Sequence, residues 1–261
     1  MNEIIDFYEN KYSENERLKR HRLEHIRTQE IISRYLKHGM KIIDIGGATG
    51  VYSLWLAKQG FDVTLYDLVP KHIEIAKAKA TEKNIALTCL CGDARNIPLD
   101  NECFDVALNM GSLYHLQERA DRLTALDETY RITKTDGIAI CSFISRYAPL
   151  LDGFKESLVD DNYFLEILNE VMQTGRHNNK GTSYFTTAYM HTIDEIKSEM
   201  ESAGFNNLKL IGVQGFAACF SDDIIFKDER RLELVLKYLR ETESISELSL
   251  SHHIIAVGVK T

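Results

Sequence analysis

Three carboxylates and a run of glycines set the chemistry open to this chain. Asp44 lies in the short apolar run Lys41-Ile42-Ile43-Asp44-Ile45, and the turn Gly46-Gly47-Ala48-Thr49-Gly50 follows at once. Asp67 closes a second apolar run, Val63-Thr64-Leu65-Tyr66, 23 residues beyond Asp44. Asp93 follows a third run, within Cys91-Gly92-Asp93-Ala94. Glycine has no Cβ, so its backbone takes positive φ and lets a ligand lie directly against it. Strand, glycine turn and helix, in that order, build a ligand site at the carboxyl ends of an open α/β sheet. A carboxylate about 20 residues past such a turn meets a ribose. There it can accept hydrogen bonds from both ribose hydroxyls.

The elements that must position these groups alternate. The pattern predicts strands at 41–45, 62–66, 86–90, 104–109 and 137–143, with helices near 50–59, 71–83 and 118–133 between them. Alternating β and α in this order implies parallel strands joined by right-handed crossovers. Residues 1–38 read as helical, with apolar positions at Leu23, Ile26, Ile31, Ile32, Tyr35 and Leu36, closed by Gly39. The three prolines, Pro70, Pro98 and Pro149, all fall at element junctions. After Pro149 the alternation stops. Helical spacing runs through Phe154, Leu158, Phe164, Ile167 and Val171, and a polar loop follows from Gly175 to Gly181. Regularity resumes with a helix at 192–203, a strand near 207–213, a helix at 223–241 and a strand near 252–259. The expected division is a helical cap (1–38), an α/β core (39–148), a helical insertion serving as a lid (149–190) and the rest of the core sheet (191–261).

Composition bounds the function. The 261 residues are 44% hydrophobic and 27% charged, as in an ordinary globular protein. A formal net charge of −8 argues against a duplex nucleic-acid binder, which needs clustered Lys and Arg. The one basic cluster, Arg17 to Arg22, reads as a solvated helix face. Five cysteines with no C-x-x-C pair support neither a disulfide framework nor a structural zinc site. There is no signal-peptide core in residues 1–10, and no apolar run nears the ~18–20 residues that span a bilayer. The expectation is a cytoplasmic protein that binds neither nucleic acid nor membrane.

The glycine turn separates two ligand classes. A dinucleotide fingerprint starting at Gly46 needs glycine at 48 and 51, where the chain has Ala48 and Val51. The turn reads Asp44-x-Gly46-x-Ala48-x-Gly50 instead. This resembles motif I of the class I S-adenosylmethionine-dependent methyltransferases, with the middle glycine replaced by Ala48. The resemblance extends through Asp67, through Asp93, through the strand Phe104-Asp105-Val106-Ala107-Leu108-Asn109 and through Glu128-x-x-Arg131-Ile132-x-x-x-x-Gly137. These are five ordered matches over 41–143, and they are most similar to small-molecule enzymes of the ubiquinone/menaquinone-biosynthesis-like group.

The resemblance implies an α/β, Rossmann-like, seven-stranded, mostly parallel sheet whose last strand is antiparallel, with an N-terminal helical cap and an inserted helical lid. It implies S-adenosyl-L-methionine as cofactor and a small-molecule methyl acceptor. Expected cofactor contacts are Gly46, Gly47, Ala48 and Gly50 in the turn, with Asp44 orienting it. Asp67 and Leu68 face the ribose, Asp93 and Ala94 the adenine, and Asn109 ends strand four. In relatives with an N-terminal extension that segment folds over the cofactor, so Tyr12 and Arg17 are expected against the methionine moiety. Asp105 and Glu128 read as structural.

Methyl transfer from a sulfonium is an in-line displacement that needs alignment and exclusion of water. A hydroxyl or carbon acid also needs a base. Candidates for that base are His115, His177 and His191, and His115, just past strand four, is the one carried forward. His177 reads as a solvated loop residue. Tyr114, Tyr184, Tyr189 and His191 are expected to line the acceptor pocket. Two other readings stay open at this point: a nicotinamide-dependent oxidoreductase, and a protein that binds S-adenosylmethionine without transferring its methyl group.

Overall fold

The computed structural model describes residues 5–8, 21–178, 185–244 and 250–261. Its centre is the strand β1 (Lys41–Ile45), whose residues Ile42, Ile43 and Ile45 are all fully buried. A strand buried on both faces belongs inside a parallel sheet covered by helices on each side. The neighbours are β2 (Asp62–Asp67), β3 (Thr88–Cys91), β4 (Phe104–Asn109) and β5 (Thr133–Ile144), all parallel. Two further strands, β8 (Asn206–Gly212) and β9 (His253–Val259), complete seven in the order β3-β2-β1-β4-β5-β9-β8. β9 runs antiparallel to both β5 and β8, as expected of the last strand.

Side-chain alternation divides the core between the two faces. Ile43, Ile45, Ile254 and Ala256 pack with α4 (Arg119–Ile132) and α7 (Ile193–Ser202) through Ala125, Leu126, Ile196 and Met200. Ile42, Ile255 and Val257 point the other way. They meet Ile31 and Ile32 of α1 (Arg22–Ser33) and Leu56 of α2 (Val51–Lys58). α3 (Pro70–Glu82) covers Leu65 and Cys89 with Ile73 and Ala76, and Pro70 stands at its first turn where no N–H is needed.

The structure departs from the sequence pattern in three places. The helical block after Pro149 is divided into α5 (Ala148–Lys155) and α6 (Asn162–Thr174), separated by a 3-10 turn at Leu158–Asp160. Asp161 starts the second helix by accepting the Tyr163 N–H at 2.9 Å. The described parts of the polar loop and of the aromatic stretch after it, residues 175–178 and 185–191, are not helical. Arg176–His177 (β6) and Ala188–Tyr189 (β7) pair as a small antiparallel ribbon. The expected helix 223–241 is divided as well, into α8 (Asp222–Ile225) and α9 (Glu229–Thr242), because Asp228 caps the second through the Arg231 N–H.

The strand order reverses between β1 and β4, with β2 on one side and β5 on the other. A crevice at such a switch point, outside the carboxyl ends of the strands, is where open α/β sheets bind ligands.

Candidate active site

Gly46 leaves β1 at φ +70°, and its N–H donates to the Tyr66 carbonyl at 2.8 Å. A Cβ at Gly46 would stand 2.7 Å from the Ser112 nitrogen, and one at Gly111 would stand 2.3 Å from the Gly46 carbonyl oxygen. The turns after β1 and β4 therefore meet backbone to backbone at the crevice mouth. Gly47 has a different reason: a Cβ there would come within 2.5 Å of Asp44 Oδ2.

Ala48 occupies the left-handed region at φ +48°, and Asp67 holds it there. The Asp67 carboxylate, 6% exposed, accepts the Ala48 N–H at 2.8 Å on Oδ2. Oδ1 accepts the Val69 N–H at 2.9 Å and bonds His72 Nδ1 at 3.0 Å. An ionised carboxylate offers about four acceptor positions, so three are used and one remains. Asp93 is gripped by Arg95, whose Nη2 donates at 2.7 Å and whose backbone N–H donates at 2.9 Å. Burial pushes the Asp93 carboxyl up, but the Arg95 bonds and charge outweigh it and hold it below the ordinary carboxylate value. Arg95 also reaches Asp121 at 3.0 Å.

His115 sits on a 3-10 turn past β4. Its Nδ1 faces the Thr187 carbonyl at 3.3 Å, which requires a proton on that nitrogen. Nε2 is then the acceptor for the Tyr8 hydroxyl at 2.8 Å. Burial pushes the imidazole down to about 4, against weaker upward pulls from the Thr187 carbonyl and the Asp67 charge, so it is neutral near pH 7.

These groups wall a cavity of about 380 Å³, whose lining includes Tyr8, Gly46, Gly47, Ala48, Asp67, Leu68, His72, Asp93, Ala94, Tyr114, His115 and Gln117. Ligand pockets for small molecules begin at about 300 Å³. A second cavity of about 240 Å³ adjoins it, with Tyr8 and Tyr114 in both walls. Its lining is largely apolar and aromatic, including Ile144, Phe164, Phe185, Met190 and Phe220, with His177, His252 and His253 among its polar groups.

Other residues expected at the site stand behind its walls. Asp44 is fully buried, takes a 2.6 Å bond from the Ser53 hydroxyl and, among the described residues, leaves Oδ1 without a hydrogen-bond partner. Gly50 caps α2 at φ +78°. Asn109 is fully buried and ties β4 to α4 through Thr129 at 3.1 Å, while accepting the Ser112 hydroxyl at 2.6 Å. Tyr189 lies under Arg122, whose guanidinium stands 3.7 Å from the ring centroid. His191 is fully buried, 3.4 Å from Glu199, and packs edge-on to Phe143. The alternation of the extended segment turns both side chains toward α4 and α7 rather than into the second cavity. Tyr12, Arg17 and Tyr184 lie outside the described residues. Asp105 and Glu128 are structural anchors, accepting the Lys41 and Ile97 N–H groups at 2.8 and 2.7 Å.

The sequence pattern did not single out His72 or Gln117. His72 follows Asp67 by five residues across a Pro-started helix, a spacing that returns its ring to the strand end. Gln117 donates to the His177 carbonyl at 3.0 Å and the Ala188 carbonyl at 3.3 Å, fastening the β6–β7 ribbon to the cavity wall. That contact is long-range and has no local signal. His177 is 3% exposed, not a solvated loop residue.

Comparison with known proteins bears on the segment that builds the first cavity. Residues 43–141 match the family described as "Methyltransferase domain". Over that span the chain carries a methyltransferase domain. The matched span covers β1 to β5 and contains Asp44, Asp67, Asp93 and His115. The methyltransferase domain is 32% identical over 108 residues to a ubiquinone biosynthesis O-methyltransferase of Cereibacter sphaeroides, covering 41% of this chain and 42% of that protein. It is 32% identical over 104 residues to a chloroplastic 2-methyl-6-phytyl-1,4-hydroquinone methyltransferase of Oryza sativa, covering 39% of this chain and 30% of that protein. The aligned part thus spans less than half the length of each. The fold extends further than the sequence likeness. An S-adenosylmethionine-dependent methyltransferase of Thermotoga maritima superimposes with a TM-score of 0.61 at 19% identity, over 100% of this chain and 99% of that one. Among the described residues no helix is long and apolar enough to cross a membrane.

Proposed function

We propose that this chain transfers the methyl group of S-adenosylmethionine to a small molecule held in the second cavity. The observation that carries the reading is the placement of the 380 Å³ cavity at the switch point of the methyltransferase domain, where one wall combines the Gly46–Ala48 turn with Asp67 and Asp93. The cavity fits the cofactor's parts. The close Gly46–Gly111 approach leaves a backbone-lined cradle that any side chain would fill. The remaining acceptor position of Asp67 suits a ribose hydroxyl, and Asp93 beside Ala94 suits an adenine amino group. Leu68, Ala94 and Leu116 supply apolar surface for a flat base.

S-adenosylmethionine supplies a methyl group already activated on a sulfonium. What the chain adds is alignment and exclusion of water. Tyr8 and Tyr114 stand where the two cavities meet, so the acceptor atom must approach past them. The acceptor class follows from the second cavity and the relatives. Phe164, Phe185 and Phe220 favour a flat apolar body, and the named relatives act in ubiquinone biosynthesis and on a hydroquinone. We therefore read the acceptor as an aromatic ring bearing a hydroxyl. All five cysteines are free thiols, which suits the reducing cytoplasm.

The test is calorimetric titration with S-adenosylhomocysteine and, separately, with NAD. S-adenosylhomocysteine should bind, and Asp67→Asn should weaken it by about 1–3 kcal/mol through loss of a charge-assisted hydrogen bond. Binding of NAD alone would replace this reading with a nicotinamide enzyme. Tight S-adenosylhomocysteine binding without methyl transfer to any hydroxylated aromatic tested would leave a binding protein.

A further inference from the structure

The second cavity contains one nitrogen whose availability the fold has arranged. His177 Nδ1 lies 3.0 Å from the Thr186 carbonyl, so that nitrogen carries the ring proton and Nε2 presents its lone pair. Among the described residues Nε2 meets no partner. The ring is 3% exposed, lines the cavity and packs edge-on against Phe185 at 6.0 Å.

The adjacent residue repeats the device. The Thr187 carbonyl orients His115, whose ring stacks on the other contact of Phe185 at 6.2 Å. Two successive carbonyls therefore aim two imidazoles, one into each cavity. They differ in what faces Nε2: His115 is covered by the Tyr8 hydroxyl, while His177 is open. The cavity's other histidines, His21, His252 and His253, each have a partner. His252 Nε2 stands 2.9 Å from Asp152 Oδ1 at the rim. His253 Nδ1 lies 3.0 Å from Gln214 Nε2.

We propose that His177 Nε2 accepts the proton of a phenolic hydroxyl held in the second cavity, and so acts as the base for methyl transfer. This rests on the methyltransferase reading above. The O–H bond breaks toward Nε2, and the oxygen keeps the electron pair with which it bonds the methyl carbon. The carbon–sulfur pair stays with sulfur, and the imidazolium returns its proton to water after the product leaves. Burial lowers the His177 pKa, outweighing the Thr186 carbonyl and Glu170, so the lone pair is present at neutral pH. The Gln117 bond to the His177 carbonyl keeps the ring one aromatic contact from the junction of the cavities.

The test uses catechol and 1,2-dimethoxybenzene, which share a ring but differ in hydroxyl protons, titrated into the full chain without cofactor. The wild type should bind catechol about tenfold more tightly than the dimethoxy compound, the size of one buried hydrogen bond. His177→Phe, which keeps an aromatic ring of similar size, should reduce that ratio to near unity. A second measurement covers a variant that fails to fold: in wild-type protein the His177 Nε2 resonance should shift with catechol and stay in place with dimethoxybenzene. Absence of catechol binding, a retained ratio in His177→Phe, or an unmoved Nε2 resonance would overturn the proposal. S-adenosylhomocysteine titration separates the two claims. Catechol bound at His177 without S-adenosylhomocysteine binding would sink the methyltransferase reading and with it the catalytic role, leaving His177 only as a phenol-binding group, whereas the reverse pattern would sink the His177 proposal alone.

Discussion

Ala48 holds a conformation that costs a residue with a Cβ about 1–2 kcal/mol, and it does so because its N–H is needed by Asp67. Ala48→Gly keeps that N–H and removes the clash. It should raise stability by roughly 1 kcal/mol, read from urea unfolding, with the Asp67 contact unchanged. A loss of stability would mean that Ala48 is not strained. Asp44 and His115 make opposing pH terms. Burial, with the Asp67 charge adding, pushes Asp44 up to about 6 despite the Ser53 bonds, so the folded chain binds the extra proton between about 4 and about 6. Stability from this group falls as pH rises through that window. His115, pushed down to about 4 by burial, works the other way: the unfolded chain binds the extra proton, so stability rises with pH between about 4 and about 6.5. Asp44→Asn removes only the first term. Its stability should climb more steeply than the wild type's from pH 4 to 6, by about 3 kcal/mol over the interval. Parallel curves in urea titrations would contradict the Asp44 shift.

At the scale of elements, the turn after β4 is held by a buried ion pair. Arg122 of α4 makes a two-pronged contact with Glu199 of α7, at 2.7 and 3.0 Å, and both side chains are almost fully buried. The same guanidinium donates to the Leu116 and Gln117 carbonyls at 2.9 and 2.8 Å. Glu199 stays ionised: burial pushes its carboxyl up, but His191 and Arg122 overcome this and bring it down to about 2. Arg122→Met would leave that carboxylate buried and unpaired, which costs about 3–5 kcal/mol. The expected result is an unfolding free energy lowered by that amount in urea titrations, with the Arg122→Met/Glu199→Met pair recovering much of it. This network explains what the sequence could and could not disclose. Asp67 and Asp93 were legible because a strand end and a glycine turn are local patterns. His191 and Tyr189 were read as pocket residues because aromatic clustering is local too. Their partners, Glu199 and Arg122, come from helices that meet only in the folded sheet. The β6–β7 ribbon has two residues per strand, too few for any period to show, and His177 owes its burial to it.

For the whole molecule, the cavity is completed from outside the matched span 43–141. Tyr8, in the helical residues 5–8, stands in the walls of both cavities, packs edge-on against His72 at 5.5 Å and against His115 at 5.4 Å, and bonds the latter. It thus joins the Asp67 end of the first cavity, through His72, to the junction with the second cavity. Binding and folding should therefore be coupled across the chain. S-adenosylhomocysteine at a hundred times its dissociation constant stabilises by about 2.7 kcal/mol. For a chain of this size that amounts to roughly 5–10 °C in Tm. Tyr8→Phe removes one hydrogen bond and keeps the ring, so most of that shift should survive. Tyr8→Ala opens the partition between the cavities and exposes His72 and His115 to water. Its S-adenosylhomocysteine affinity should fall by about tenfold or more, and the ligand-induced Tm shift at fixed concentration should fall with it. If Tyr8→Ala bound as tightly as the wild type, residues 5–8 would be a bystander and the cavity would belong to the sheet alone.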